Sequence, residues 1–159
     1  MDYLRSEVMA ATGATRHEIQ GLLTGGVVQQ DHPRDGTLYR WSRDEIVLLA
    51  VAVQLARMGM PRGCIRAAID AVRRARETGA PAVMVFRFDD TGRFASAARL
   101  NRADTWAGEV ADRSDGASGS RLLIDIEAEA RAVDTRLRQH RAIHGPVRRG
   151  PKPHHRQVA

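Results

Sequence analysis

Three polar side chains suited to reading nucleic-acid bases follow Thr15, namely Arg16, His17 and Gln20. Arg pairs bidentately with guanine and Gln with adenine, while His can contact a base or a phosphate. On a helix that begins at Thr15, these side chains would share one exposed face near the amino-terminal end. In the major groove, side chains at that end meet base edges and the free amides face phosphate. The spacing predicts base readout by a helix over 15–24, and an ordinary solvated face is the alternative.

A helix-turn-helix is the element that would present these residues. Apolar residues recur at helical spacing over 2–12 and Gly13 follows as a stop, which predicts a first helix. Thr15 and Glu18 match a capping box that begins a second helix, which should end near Thr24. Because the turn between the two predicted helices is short, they must form a bent pair.

A short hairpin and two more helices follow in the predicted order. The β-prone runs 27–30 and 37–41 flank a turn-rich segment, which predicts a two-stranded hairpin. A second capping box at 42–45 begins a third helix that ends at Gly59. Pro61 suits the first position of a fourth helix. The first half is therefore predicted as helix, helix, hairpin, helix, helix.

The second half of the chain changes to a mixed pattern. Residues 82–88 are typical of a strand, followed by a turn that allows a returning strand through Arg93 and Phe94. The segment 95–120 is weakly patterned. Residues 121–126 resemble a strand that pairs with the first one, and an amphipathic helix then continues to about His140.

Positive charge is concentrated at the carboxyl-terminal end. The net charge is +6 and the sequence pI about 10.8, which favours a polyanionic partner. In 1–79, 11 Arg oppose 9 acids (+2), and in 80–140, 9 Arg oppose 10 acids (−1). In 141–159, four Arg and one Lys oppose none (+5). Because this last segment is rich in Gly and Pro and poor in apolar residues, it is predicted to be disordered.

The order of elements resembles the winged helix-turn-helix of the MerR family of transcription regulators. Residues 15–20, which lead to Gly-Val-Val at 26–28, are similar to the start and sequel of the family's second helix. The Arg-Trp-Ser-Arg-Asp-Glu segment at 40–45 is similar to the end of its wing, and Met-Gly-Met-Pro at 58–61 to the segment ahead of its fourth helix. The resemblance spans residues 3–72, less than half of the chain.

Two departures accompany these matches. Where family members carry an aromatic Arg-Tyr-Tyr-Glu segment, residues 20–23 are Gln-Gly-Leu-Leu. Where many members continue into a long coiled coil, the helical pattern here stops near Gly79. The resemblance implies a transcription regulator that distorts promoter DNA, with RNA polymerase as a further partner.

We therefore predict a mainly α fold in three parts. Residues 1–78 form a winged helix-turn-helix, 79–140 a small α+β unit for dimerisation or effector binding, and 141–159 a basic flexible tail. The partner is double-stranded DNA, bound by a homodimer because two modules can read two half-sites. The dimer surface is expected on the predicted sheet together with Val133 and Leu137 of the last helix.

The predicted DNA contacts come from the helix-turn-helix, the wing and two helix starts. Arg34 near the wing tip and Arg40 on its returning strand would reach the minor groove or its phosphates. Arg5 and Arg43 would contact phosphate, with surface solubility as the competing role. Trp41 is expected to pack on the helices. The full set is Arg5, Thr15, Arg16, His17, Gln20, Arg34, Arg40 and Arg43.

Catalysis, metal binding and cofactors are not expected. The sequence has no P-loop or dinucleotide loop, no Gly-x-Ser-x-Gly and no His-Glu-x-x-His. Cys64 is expected to pack rather than to act as a thiol sensor. Five histidines lack the spacing of a compact metal site; they are His32, His140, His144, His154 and His155.

The sequence also favours a soluble protein of the bacterial cytoplasm, associated with the nucleoid. No apolar run approaches the roughly 20 residues of a membrane helix, and the first residues are too polar for a signal peptide. Two other functions remain open. One is an architectural DNA-binding factor of a phage or mobile element, excisionase-like or a small packaging subunit. The other is a protein-interaction adaptor that no longer touches DNA.

Overall fold

Helices dominate the part of the chain that the structure describes, and a small antiparallel sheet completes it. The computed structural model describes residues 3–28, 40–77, 83–89, 91, 93–100 and 121–145. Its elements are α1 (Arg5–Thr12), α2 (Arg16–Thr24), α3 (Arg43–Arg57), α4 (Arg62–Glu77), β1 (Val83–Phe88), β2 (Phe94–Leu100), β3 (Arg121–Ile124) and α5 (Ile126–His144). The predicted mainly α composition is confirmed. The predicted wing tip with Arg34, most of the weakly patterned segment and residues 146–159 of the basic tail lie outside the described residues. Residues 141–144 of that tail belong to α5, so the prediction that they are disordered is wrong.

Both predicted capping boxes are present at the starts of α2 and α3. The Thr15 hydroxyl accepts a hydrogen bond from the amide of Glu18 (3.2 Å), and the Glu18 carboxylate accepts one from the amide of Thr15 (2.7 Å). Ser42 and Glu45 repeat this exchange. Gly13, between α1 and α2, has φ 65°, a left-handed conformation that favours glycine and permits the tight turn.

The carboxyl-terminal end of α2 replaces the start of the predicted hairpin. Gly26 (φ 61°) turns the chain, and the amide of Val27 donates to the carbonyl of Leu22 at 2.9 Å. Val27 and Val28 are buried in a bend and form no strand. The expected strand over 27–30 is therefore wrong at these two residues, because their apolar side chains close the helix against the core instead.

Tyr3 and Trp41 join the segments that precede α1 and α3. Their backbones exchange two hydrogen bonds, from the amide of Tyr3 to the carbonyl of Trp41 (2.8 Å) and in the reverse direction (3.0 Å). Trp41 is fully buried. Its predicted packing role is confirmed. The Tyr3–Trp41 bridge holds the segments that precede α1 and α3 side by side.

Helix α3 is the centre of the core. Ten of its 15 residues are buried, and α1, α2, α4 and α5 pack against it. The contacts of α5 with α1 move from Ala11, beside Arg136, back to Glu7, beside Arg141. The two helices are therefore antiparallel. A single apolar core extends from Tyr3 to Leu137, so the sheet and α5 pack onto the helical part.

The sheet has the strand order β2-β1-β3, antiparallel throughout. The predicted pairing of β1 with β3 is confirmed, with Met84 opposite Ile124 and Phe86 opposite Leu122. Strand β2 continues to Leu100, six residues beyond the expected Phe94. Strand β3 is shorter than predicted because Asp125 caps α5 by accepting from the amide of Ala128 (2.8 Å).

The surface expected to form the dimer is already used inside the chain. Val133 and Leu137 are 0% and 3% exposed and belong to the common core. Helix α5 also runs one turn past the expected end at His140 and stops at Gly145. The expectation that Val133 and Leu137 face a second copy is wrong, because an apolar helical stripe can be buried equally well by the protein's own helices.

Candidate nucleic-acid interface

The amino-terminal half of α2 presents the three predicted base-reading residues together. Arg16, His17 and Gln20 are all exposed, whereas Ile19 and Leu22 on the opposite side are buried against α3. The helical spacing i, i+1, i+4 places the three on one side of the helix. We call Arg16, His17 and Gln20 the α2 face. It combines the guanidinium of Arg16, the imidazole of His17 and the amide of Gln20, which both donates and accepts hydrogen bonds.

Thr15 has a structural task at the edge of this face. Its hydroxyl accepts from the Glu18 amide and donates to the Glu18 carboxylate at 2.9 Å. Both hydrogen-bonding functions of the hydroxyl are thus engaged in starting the helix. Thr15 fixes where the α2 face begins, and a contact of its hydroxyl with DNA would have to compete with these hydrogen bonds.

Arg57, at the end of α3, holds the start of α2 in place. Its Nε lies 3.0 Å from Oε1 of Glu18 and its Nη2 lies 3.3 Å from Oε2. The same Nη2 donates to the carbonyl of Gly13 at 2.8 Å. The Arg57 hydrogen bonds, followed by those from Thr15, lower the pKa of Glu18 from 4.5 to about 2. Sequence reasoning missed this residue.

Two further arginines, Arg62 and Arg66 of α4, lie beside the far end of α2. A methyl group added at Gly21 would be 3.9 Å from Nη2 of Arg62, and one at Gly25 would be 3.4 Å from its Cδ. Arg66 donates through Nη2 to the carbonyl of Gly25. Both arginines are exposed. Their side chains thus lie along the glycine side of α2.

The charge around α2 is predominantly positive. The helix dipole places partial negative charge at its carboxyl-terminal end, where Arg62 and Arg66 are favourably located. At the amino-terminal end, Glu18 is paired with Arg57, which leaves Arg16 as the charged group of the α2 face. This combination suits a polyanion such as DNA better than a basic partner. The signal for these two arginines in the sequence is their i, i+4 spacing, which places Arg62 and Arg66 on one side of α4.

The remaining predicted arginines are placed elsewhere. Arg5 and Arg40 are half-buried and flank the Tyr3–Trp41 bridge. Arg43 is engaged with Asp134 of α5, through Nε to Oδ1 at 2.8 Å and Nη2 to Oδ2 at 2.7 Å. This bidentate pair raises the pKa of Arg43 and lowers that of Asp134. Arg43 joins α3 to α5, and a contact with phosphate would have to compete with this ion pair.

Groups that bind metals are sparse in the described residues. The rings of His140 and His144 lie 4.6 Å apart on successive turns of α5. Within the described ranges, no group of three or more His, Cys, Asp or Glu side chains is arranged to hold an ion. Cys64 is buried in the core, as predicted for a packing residue.

No helix in the described part of the chain is both long and apolar enough to cross a bilayer. In comparisons with known proteins, neither a protein-family model nor a curated protein matches the chain.

Proposed function

We propose that this protein is a sequence-specific DNA-binding transcription regulator of the MerR-like type. In this proposal α1 and α2 are a helix-turn-helix, α2 enters the major groove, and the segment between α2 and α3 is a wing beside it. The observation that carries the proposal is the α2 face: three base-reading side chains exposed together at the amino-terminal end of a firmly anchored helix.

The positive groups of α4 support a negatively charged partner such as DNA. Arg62 and Arg66 lie on the same side of the module as the far end of α2, where they could pair with phosphates on one strand. Phosphate contacts fix the register of a protein on DNA, and base contacts supply specificity. The presence of both kinds of group on and beside α2 therefore supports the proposal.

The proposal includes a homodimer in the bacterial cytoplasm, associated with the nucleoid, that acts on RNA polymerase at a promoter. A single small module binds DNA weakly, and a dimer adds a second half-site. Because Val133 and Leu137 are buried within the chain, the dimer surface must lie elsewhere.

Selection of bound duplexes from random DNA by the full-length protein tests the proposal. The expected result is a reproducible inverted repeat whose half-sites contain guanine and adenine opposite Arg16 and Gln20. Arg16→Ala with Gln20→Ala should abolish the preference, each lost bidentate pair costing roughly 1–3 kcal/mol of discrimination.

A matched control is Arg131→Ala on α5. The Arg131 side chain is 62% exposed and pairs with Glu127 one turn earlier on α5. This variant removes one positive charge and should leave the selected sequence unchanged. Enrichment of no sequence, or the same enrichment by wild type and the double variant, would contradict the proposal. A long unspecific footprint would favour the architectural alternative.

A further inference from the structure

The start of α2 is connected to the end of α3 by one guanidinium group. Arg57 binds both oxygens of Glu18 and also the carbonyl of Gly13. These two partners belong to the turn before α2 and to its first turn. A single side chain therefore fixes the position of the turn and the direction in which the helix leaves it.

Directional contacts are needed here because α2 is short and its packing on α3 through Ile19 and Leu22 is apolar. Ile19 and Leu22 bury it against α3, but apolar packing is non-directional and resists rotation poorly. A bidentate guanidinium–carboxylate pair has a defined geometry. Gln20 lies four residues, about 6 Å, beyond Arg16, so a tilt of about 10° at the start of the helix moves Gln20 by about 1 Å. Recognition requires positions accurate to about 0.5 Å.

We propose that Arg57 is a positioning residue for base readout: it sets the orientation of α2 relative to α3 and thereby determines discrimination between DNA sequences. In this role Arg57 acts through α2 and not by touching the DNA, with its Nε and Nη2 bound to Glu18 and Gly13. This inference rests on the proposed function of the α2 face.

Three variants separate the orientation of α2 from the capping of its first turn. Arg57→Gln removes the contacts to Glu18 and Gly13. Glu18→Gln retains a carbonyl oxygen that can accept from the Thr15 amide, but it removes the charge that faces Arg57. Arg57→Lys keeps the charge and loses the bidentate geometry. Because Arg57 and Glu18 are both surface residues, the folded state should persist, which a thermal melt verifies.

The measurement is the ratio of affinities for the selected duplex and a scrambled duplex of equal length, over a range of salt concentrations. Arg57→Gln and Glu18→Gln should each lower this ratio about tenfold or more, and Arg57→Lys should restore little of it. Affinity for the scrambled duplex and the salt dependence should stay as in wild type. The control Arg131→Gln should leave all three quantities unchanged.

Backbone residual dipolar couplings of the free protein give a second readout that requires no DNA. In Arg57→Gln the axis of α2 should turn relative to α3, or its couplings should show increased motion. An unchanged ratio, or an α2 whose orientation and motion are both unchanged, would overturn the inference. A salt slope that falls by about one would also overturn it, because Arg57 would then be a phosphate contact. If wild type discriminates no sequence, the proposed function fails, while the couplings still decide the role of Arg57.

Discussion

The buried carboxylate of Glu7 in α1 accepts a hydrogen bond from Nε of Arg141 in α5 at 2.8 Å. Its other oxygen accepts from the amide of Leu4 at 2.9 Å, so the first turn of α1 is capped by the same group. The guanidinium also lies 4.7 Å from the centre of the Tyr3 ring, within the range of a cation–π interaction. One arginine near the end of α5 thus stabilises the beginning of the described chain.

Arg141→Ala is therefore expected to destabilise the fold by about 3 kcal/mol, since it leaves a carboxylate buried without its partner. Urea unfolding at pH 7 measures the change. Arg131→Ala, in the exposed i, i+4 pair with Glu127, should change stability by no more than about 0.5 kcal/mol. Equal effects of the two substitutions would show that Glu7 does not depend on Arg141.

Acid should weaken the anchoring of α2 through Glu18. Its pKa is about 2 in the folded protein, against 4.5 without its partners. A carboxylate with a lowered folded pKa contributes stability that is fully present above pH 4.5 and is lost as the pH falls towards 2. Unfolding free energies measured between pH 2 and 5 should therefore rise with pH less steeply in Glu18→Gln than in wild type. Parallel curves would contradict the low pKa.

Substitution of two glycines by alanine, one within α2 and one just after it, should change the free energy of unfolding in opposite directions. Gly21 has room for a methyl group, with Nη2 of Arg62 at 3.9 Å, so Gly21→Ala should stabilise the helix by about 0.5–1 kcal/mol. Gly26 has φ 61°, and an added methyl group would lie 3.2 Å from Arg66. Gly26→Ala should cost about 1–2 kcal/mol. Thermal unfolding of both variants checks the signs, and a stabilising Gly26→Ala would be inconsistent with the left-handed backbone.

Arg62 and Arg66 should contribute affinity without sequence preference if α2 lies in the major groove. Arg62→Ala should weaken binding to selected and scrambled duplexes by similar factors and reduce the slope of log affinity against log salt by about one. Arg66→Ala should do the same, with an added loss of stability from its bond to Gly25. Fluorescence anisotropy at several salt concentrations measures both. Loss confined to the selected duplex would instead indicate base contacts.

Local features of the fold could be predicted from the sequence because their determinants lie a few residues apart. The Thr15–Glu18 capping box is complete within four residues, and Gly13 indicates the turn that precedes α2. The β1–β3 pairing could be predicted because both segments are rich in β-branched and large apolar residues. The continuation of strand β2 beyond Phe94 could not, since its Ala-Ser-Ala-Ala-Arg sequence lacks that signal.

Long-range ion pairs could not be predicted by the same reasoning. Arg57 and Glu18 are separated by 39 positions, and Arg43 and Asp134 by 91. In a chain with 25 basic and 19 acidic residues, spacing alone does not show which arginine meets which carboxylate. Arg43 was for this reason expected to face phosphate. The burial of Val133 is a similar case, because an amphipathic pattern shows that a face is covered but not by what.

Helix α3 is fixed at both ends by its own arginines, to different neighbours. Arg43 at its first residue holds Asp134 of α5, and Arg57 at its last holds Glu18 of α2. Between them runs a buried, uninterrupted helix of 15 residues, about 22 Å long, with little freedom to bend. Because α3 connects the two neighbours rigidly, a displacement of α5 at one end is expected to change the tilt of α2 at the other end.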